Sequence, residues 1–219
     1  MHRLAFCKAD TAKFISHLDL MRTFQRSFLR AGIPIKHTEG FNPHAFVSIP
    51  LPLSVGFSSG CEVLECQVLN TPLEEVPDRM NAVLPAGITV KRCYEAVRPA
   101  KELCYVNYIV TLEYEAGAPF GAESAIQELL GREHLVMAKR SKKAKSGQVE
   151  VDLIPLIAKA TVEERRDTIA LDLILKAQNP GLNPELIVSA IRQHCPDAAP
   201  DYAIYHRRAV LDKNYEIWE

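Results

Sequence analysis

Extended runs and helical periods alternate along this chain in the order strand, helix, strand, strand, helix, strand, and the order then repeats. This alternation restricts the fold strongly, because strands that bury one face and helices that bury one stripe have few ways to cover each other. Residues 4–8 read as a strand, 16–31 as a helix, 33–49 as an interrupted strand, 62–69 as a strand, 72–84 as a helix introduced by Thr71, and 88–97 as a strand. A linker containing Pro99 follows at 98–102. Beyond it, 104–115 reads as a strand, 122–132 as a helix, 135–140 and 168–176 as strands, 184–194 as a helix and 202–211 as a strand. Residues 141–167 do not fit this second round and read as an insertion, a hairpin around a basic loop. The expected fold is α+β, with two tandem ferredoxin-like (βαββαβ) domains, 1–98 and 103–219, the second with the inserted basic hairpin. A single larger α+β domain is the alternative.

The first helix carries the densest chemistry. Ser16 has the character of an N-cap and Asp19, three residues on, completes a capping-box spacing, so His17 becomes the first helical residue. At 100° per residue, Asp19, Arg22, Thr23, Arg26, Ser27 and Arg30 share one arc, and Leu18, Met21, Phe24, Phe28 and Leu29 the other. His17 projects toward Phe24 and Phe28. Gly32 and Pro34 stop the helix. Arg22, Arg26 and Arg30 fit either a solvated face, with Arg22 pairing to Asp19, or a row of guanidiniums suited to phosphate oxygens.

A second segment follows closely. Residues 37–40 read as a turn, Asn42-Pro43 restricts the backbone, and 44–49 is extended. Pro50 and Pro52 exclude a central strand, and 55–60 is loop-like. Glu39, Phe41, Asn42 and His44 thus sit on a stiffened loop, a usual place for binding groups.

The run FISHLDLMRTFQRSFLRAGIPIKHTEGFNPHAFVSIPLPLSVGFSS resembles the N-terminal signature of the radical-SAM-linked (radical-SAM-associated) bacterial protein family, of unassigned biochemical function. Residues 151–157, 179–184 and the closing His206-Arg207-Arg208 carry its later marks. The resemblance implies a cobalamin-type radical SAM protein as partner and a setting of RNA modification or ribosome-related metabolism, without implying a reaction.

A net charge of −1 excludes a uniformly basic nucleic-acid coat, yet Lys139, Arg140, Lys142, Lys143 and Lys145 crowd into one short stretch as a flexible solvated loop or a local basic patch. The six cysteines, at 7, 61, 66, 93, 104 and 195, lack a CxxC pair, so free thiols in a reducing cytoplasm are expected, and the chain is not itself the radical SAM enzyme. No long apolar run or secretory signal is read, and no cofactor, metal, membrane or DNA is expected.

Four functional readings follow. The first is a non-catalytic RNA-binding or substrate-presenting accessory protein: Arg22, Arg26, Arg30 and the basic cluster contact phosphates, Phe41 or His44 stacks on a base, and Asn42 belongs to the same surface. The second is a metal-independent RNA-cleaving enzyme with His17 and His44 as acid and base and Lys8, Lys13 or Arg22 stabilising the phosphorane. A third puts a metal at His17, Asp19, Glu39 and His44, without a ligand spacing to support it. The last is an adaptor docking through Leu51, Leu53, Val55 and Phe57.

Overall fold

The computed structural model describes residues 1–140 and 147–218. The chain divides into two compact units, Met1–Glu102 together with Trp218, and Leu103–Ile217. Trp218 joins the first unit because its indole lies 4.3 Å under the Arg3 guanidinium and its Nε1 donates to the Pro99 carbonyl at 3.3 Å. The second unit therefore ends short of the expected 103–219.

The first unit runs β1 (His2–Lys8), a 3₁₀ turn (Asp10–Phe14), α1 (His17–Arg30), β2 (Val47–Ser48), β3 (Ser58–Cys66), α2 (Val76–Asn81) and β4 (Ile88–Glu95). The strands lie in the order β4-β1-β3, with β2 against β3, all antiparallel. Leu4 and Phe6 of β1, Leu64 and Cys66 of β3 and Val90 of β4 face Phe24 and Phe28 of α1 and Val76 and Met80 of α2. Each fully buried side chain of this size contributes about 1.5–3 kcal/mol. Phe6 and Phe24 meet edge to face at 4.9 Å, the arrangement that ring quadrupoles favour.

Both ends of α1 are set locally. Ser16 is extended (φ −65°, ψ 159°) and its Oγ accepts from the Asp19 N–H at 3.2 Å. At the other end Gly32 takes φ +64°, its N–H donates to Leu29 O, and the Ile33 N–H reaches back to Phe28 O at 3.0 Å. This is a Schellman closure, which a residue bearing a Cβ would strain.

Residues 33–49 form a hairpin and not one interrupted strand. Thr38 N donates to His44 O at 2.8 Å and Phe46 N to Lys36 O at 2.9 Å, with His37 bridged to Ala45. Gly40 at φ +125° and the Asn42-Pro43 step let the chain reverse between the two arms. The first arm continues against the end of β3 through Ile35 and Val68.

The second unit runs β5 (Tyr105–Glu113), α3 (Ala122–Leu130), β6 (Val136–Arg140), β7 (Gln148–Asp152), β8 (Ile157–Arg165), β9 (Thr168–Lys176), α4 (Pro184–His194) and β10 (Tyr202–Leu211). Its antiparallel sheet has the order β10-β5-β9-β8, and β6 and β7 pair only with each other. This corrects the expected insertion at 141–167: the extra strands are 136–140 and 148–152, and residues 157–165 are a strand of the main sheet. β8 escapes a sequence reading because it lies at the sheet edge, where Val162 is its one buried residue and Glu163, Glu164 and Arg165 follow it as a charged, exposed run. Asp152 closes the base of the β6–β7 hairpin, accepting from the N–H groups of Leu135 and Ile154 and from His134 Nδ1.

The fold is thus mixed α+β, with four α-helices among the described residues. No helix among them is long and apolar enough to cross a membrane.

Candidate functional site

The outer arc of α1 has a composition that periodicity alone misplaces. Phe24 and Phe28 are buried as expected, but Leu18 and Leu29 are 66% and 81% exposed and stand on the arginine side. Leu18, Arg22, Arg26 and Leu29 therefore form one solvent-facing strip, a correction to the expected division into polar and apolar arcs. Asp19 at its edge is held in place: Ser16 Oγ donates to Asp19 Oδ2 at 2.7 Å and Arg22 Nη1 to Asp19 Oδ1 at 3.2 Å. The Ser16 hydroxyl, and then Arg22, hold the Asp19 carboxyl below the usual carboxylate range.

The three arginines are not equivalent. Arg22 and Arg26 are exposed, and Arg26 makes no hydrogen bond or ion pair among the described residues. Arg30 is committed elsewhere, donating to Val83 O at 2.9 Å and to Ser27 Oγ at 3.2 Å. Its guanidinium ties α1 to the end of α2.

The hairpin is fastened to this helix. Gln25 Nε2 donates to Ala45 O at 2.9 Å, and Gln25 lies one turn from Arg22, where side chains are neighbours. At the hairpin tip Phe41 is fully exposed, with Glu39, Asn42 and His44 exposed around it. Side chains alternate along the arm: Ala45 and Val47 turn to the core, while His44 and Phe46 turn away. On that outer side Lys36, Thr38, Glu39, Phe46 and Gln67 border a cleft of about 290 Å³.

The histidines are not brought together. His17 starts α1 half-buried on the Phe24 and Phe28 side. His44 Nδ1 lies 3.1 Å from Thr38 Oγ1 and 3.1 Å from Asn42 O, within its own hairpin. No contact links the two rings among the described residues, and neither borders the cleft, so acid–base catalysis by this pair gains no geometric support. Among the described residues no group of three or more His, Cys, Asp or Glu is placed to hold a metal, which removes the site at His17, Asp19, Glu39 and His44.

The other candidates are dispersed. Lys139 is exposed on β6 opposite Val149, and Arg140 closes that strand opposite Gln148, while Lys142, Lys143 and Lys145 lie outside the described residues. Of the apolar run proposed for an adaptor, Leu53 and Phe57 are buried and only Val55 is largely exposed. With two of its four apolar residues buried, that run does not present a continuous apolar surface. All six cysteines are free, with Cys66 in the core and Cys61 half-buried.

Residues 2–184 match the family described as an uncharacterized protein conserved in bacteria, DUF2344. The chain belongs to that family. The match includes both α1 and the hairpin, with the strip and the cleft residues named above. None of the curated proteins compared with it matches. A chain in the crystal structure of a Cbf5-Nop10-Gar1 complex aligns with a TM-score of 0.51 at 8% identity, over 95% of this chain and 48% of that one. This chain spans about half the length of that neighbour, and at such identity the likeness is one of fold. An unknown protein from Galdieria sulphuraria aligns with a TM-score of 0.26 at 10% identity, over 94% of this chain and 96% of that one.

Lys8, expected as a group that could stabilise a phosphorane, is instead buried beneath α1, and Glu62 was not singled out in the sequence. Lys8 is 1% exposed, and its Nζ donates to Ile15 O at 2.8 Å and to Lys13 O at 3.2 Å. It thereby fixes the backbone from which Ser16 and His17 start α1. Glu62, also buried, sits opposite Phe6 on the same core face. The signal for Lys8 was present: Leu4, Phe6 and Lys8 share a period of two, which puts the lysine on the core side of β1. Gln25, Phe46 and Gln67 carried no such signal, because their roles depend on the hairpin.

Proposed function

We propose that this protein is a non-catalytic RNA-binding or substrate-presenting accessory that works with a cobalamin-type radical SAM partner. The observation that carries the reading is the exposed strip of α1, where Arg22 and Arg26 stand between Leu18 and Leu29, on a helix tied through Gln25 to the hairpin whose tip presents Phe41 to solvent. Guanidiniums suit phosphate oxygens, and an exposed ring offers a base a stacking face. Such a surface binds locally, which agrees with a net charge of −1 for the whole chain. The radical SAM partner rests on the resemblance of the N-terminal run.

We also read the two units as tandem ferredoxin-like domains. What supports this is the strand order, β4-β1-β3 flanked by β2 in the first and β10-β5-β9-β8 in the second, with helices at corresponding places and the β6–β7 hairpin inserted in the second.

The experiment is the affinity for a single-stranded RNA at several salt concentrations. Each lost phosphate contact lowers the slope of log K against log salt by about 0.7 for a single strand, so Arg22→Glu with Arg26→Glu reduces it by roughly 1.4. Affinity that is indifferent to salt, or unchanged in the double variant, refutes the reading.

A further inference from the structure

We infer that the cleft on the outer side of the hairpin receives one unstacked nucleobase of a single-stranded RNA; this deepens the RNA reading above and rests on it. The cleft, about 290 Å³, lies at the small end of ligand sites and suits a single ring system better than an extended molecule. Phe46 supplies an aromatic surface. Gln67 borders the cleft with a side-chain amide that makes no hydrogen bond among the described residues. A primary amide offers two donors and an acceptor, the complement of a base edge that presents both kinds of group. Lys36, at the same rim, lies 3.9 Å from the Glu39 carboxylate and is half exposed, so its ammonium stays available to a phosphate. Glu39 in turn accepts from an amino or imino N–H of a base.

Chemistry favours a base over an apolar side chain of a protein partner. An aliphatic group filling the cleft covers Phe46 equally well but leaves the Gln67 amide partly desolvated without a partner, a cost that a base avoids. Position supports the same choice. Ala45, whose carbonyl holds Gln25 of α1, is the residue next to Phe46, so the arginine strip and the cleft flank one two-stranded ribbon. A flexible strand that leaves phosphates on Arg22 and Arg26 passes the exposed Phe41 and turns one base inward to Phe46.

The test uses the full chain, guanosine and adenosine 5′-monophosphates, and a short unstructured RNA. Saturable amide shifts at Thr38, Phe46 and Gln67 with the mononucleotides are expected. Phe46→Ala is expected to weaken RNA binding about tenfold, from the scale of base–aromatic stacking, without altering the salt slope. Gln67→Leu keeps the side-chain volume and removes the amide; it is expected to weaken binding in the same sense, which guards against Phe46→Ala acting through misfolding. If the RNA binds with the expected salt slope but both variants bind as the wild type does, the cleft inference falls and the RNA reading stands. If neither RNA nor mononucleotide binds, both fall. Loss of a protein partner on Phe46→Ala with RNA affinity untouched overturns the inference in favour of a protein side chain.

Discussion

Lys8→Met removes a buried ammonium while keeping the reach of the side chain, and its consequences follow bond by bond. Lys8 Nζ serves two carbonyls, Lys13 O and Ile15 O, immediately before the N-cap of α1. Lys13 O keeps a second donor, the Gly56 N–H at 2.8 Å, whereas Ile15 O has no other donor among the described bonds. The variant therefore deprives one half-buried carbonyl of a charged donor, which costs about 1.5–3 kcal/mol, and removes positive charge from the core face that also holds Glu62. Relief from burying the lysine offsets part of this, leaving a loss of about 2 kcal/mol. For a chain of this size that lowers Tm by about 4–8 °C. The assay is a thermal melt followed by circular dichroism, paired with amide exchange at Leu20, whose N–H donates to Ser16 O in the first turn of α1. Faster exchange at Leu20 is expected together with the lower Tm. A Tm within about 1 °C of the wild type, with Leu20 equally protected, refutes the role given to Lys8.

Arg30→Ala is expected to cost about 0.5–1.5 kcal/mol of stability by releasing Val83 O, yet to leave the salt slope of RNA binding unchanged, in contrast to Arg22→Glu. Equal slope losses at positions 30 and 22 contradict the unequal roles of the three arginines. Asp152, held below its ordinary 3.8 by the His134 ring first and then by the Leu135 N–H, contributes to the β6–β7 hairpin base above pH 3.8, and the contribution disappears as pH falls through its lower folded value. A carboxyl titration by NMR checks this, with a midpoint below 3.8 expected and a midpoint at or above it contrary.

The well-read elements carry their own boundaries. Residues 168–176, 184–194 and 202–211 are the expected strand, helix and strand, since each has an unbroken period and, for α4, an Asn183 cap whose side chain accepts from the Glu185 N–H. The misread ones are set by partners distant in sequence. Ser58-Ser59-Gly60 looks like a loop because small residues have little strand preference, yet β3 starts there, with Ser59 opposite Lys8. The hairpin at 33–49 and the edge strand β8 fail for related reasons: the first depends on a reversal that Gly40, Asn42 and Pro43 only permit, and the second has scarcely any buried face to leave a period.

The candidate site was legible to the same degree. Arg22 and Arg26 followed from the cap at Ser16 and the helical period. Leu18 and Leu29 did not, because apolar character does not itself dictate burial. The cleft at Phe46 and Gln67 could not be read at all, since it exists only once the hairpin folds back beside β3.

The most direct measurement is an amide-resolved NMR titration of the full chain with a short unstructured RNA at low salt. Saturable shifts along Leu18, Arg22, Arg26 and Leu29 and at Phe41 and Asn42, receding as salt is raised, are expected. Shifts confined to residues outside α1 and the hairpin, or no shifts at all, contradict the RNA reading.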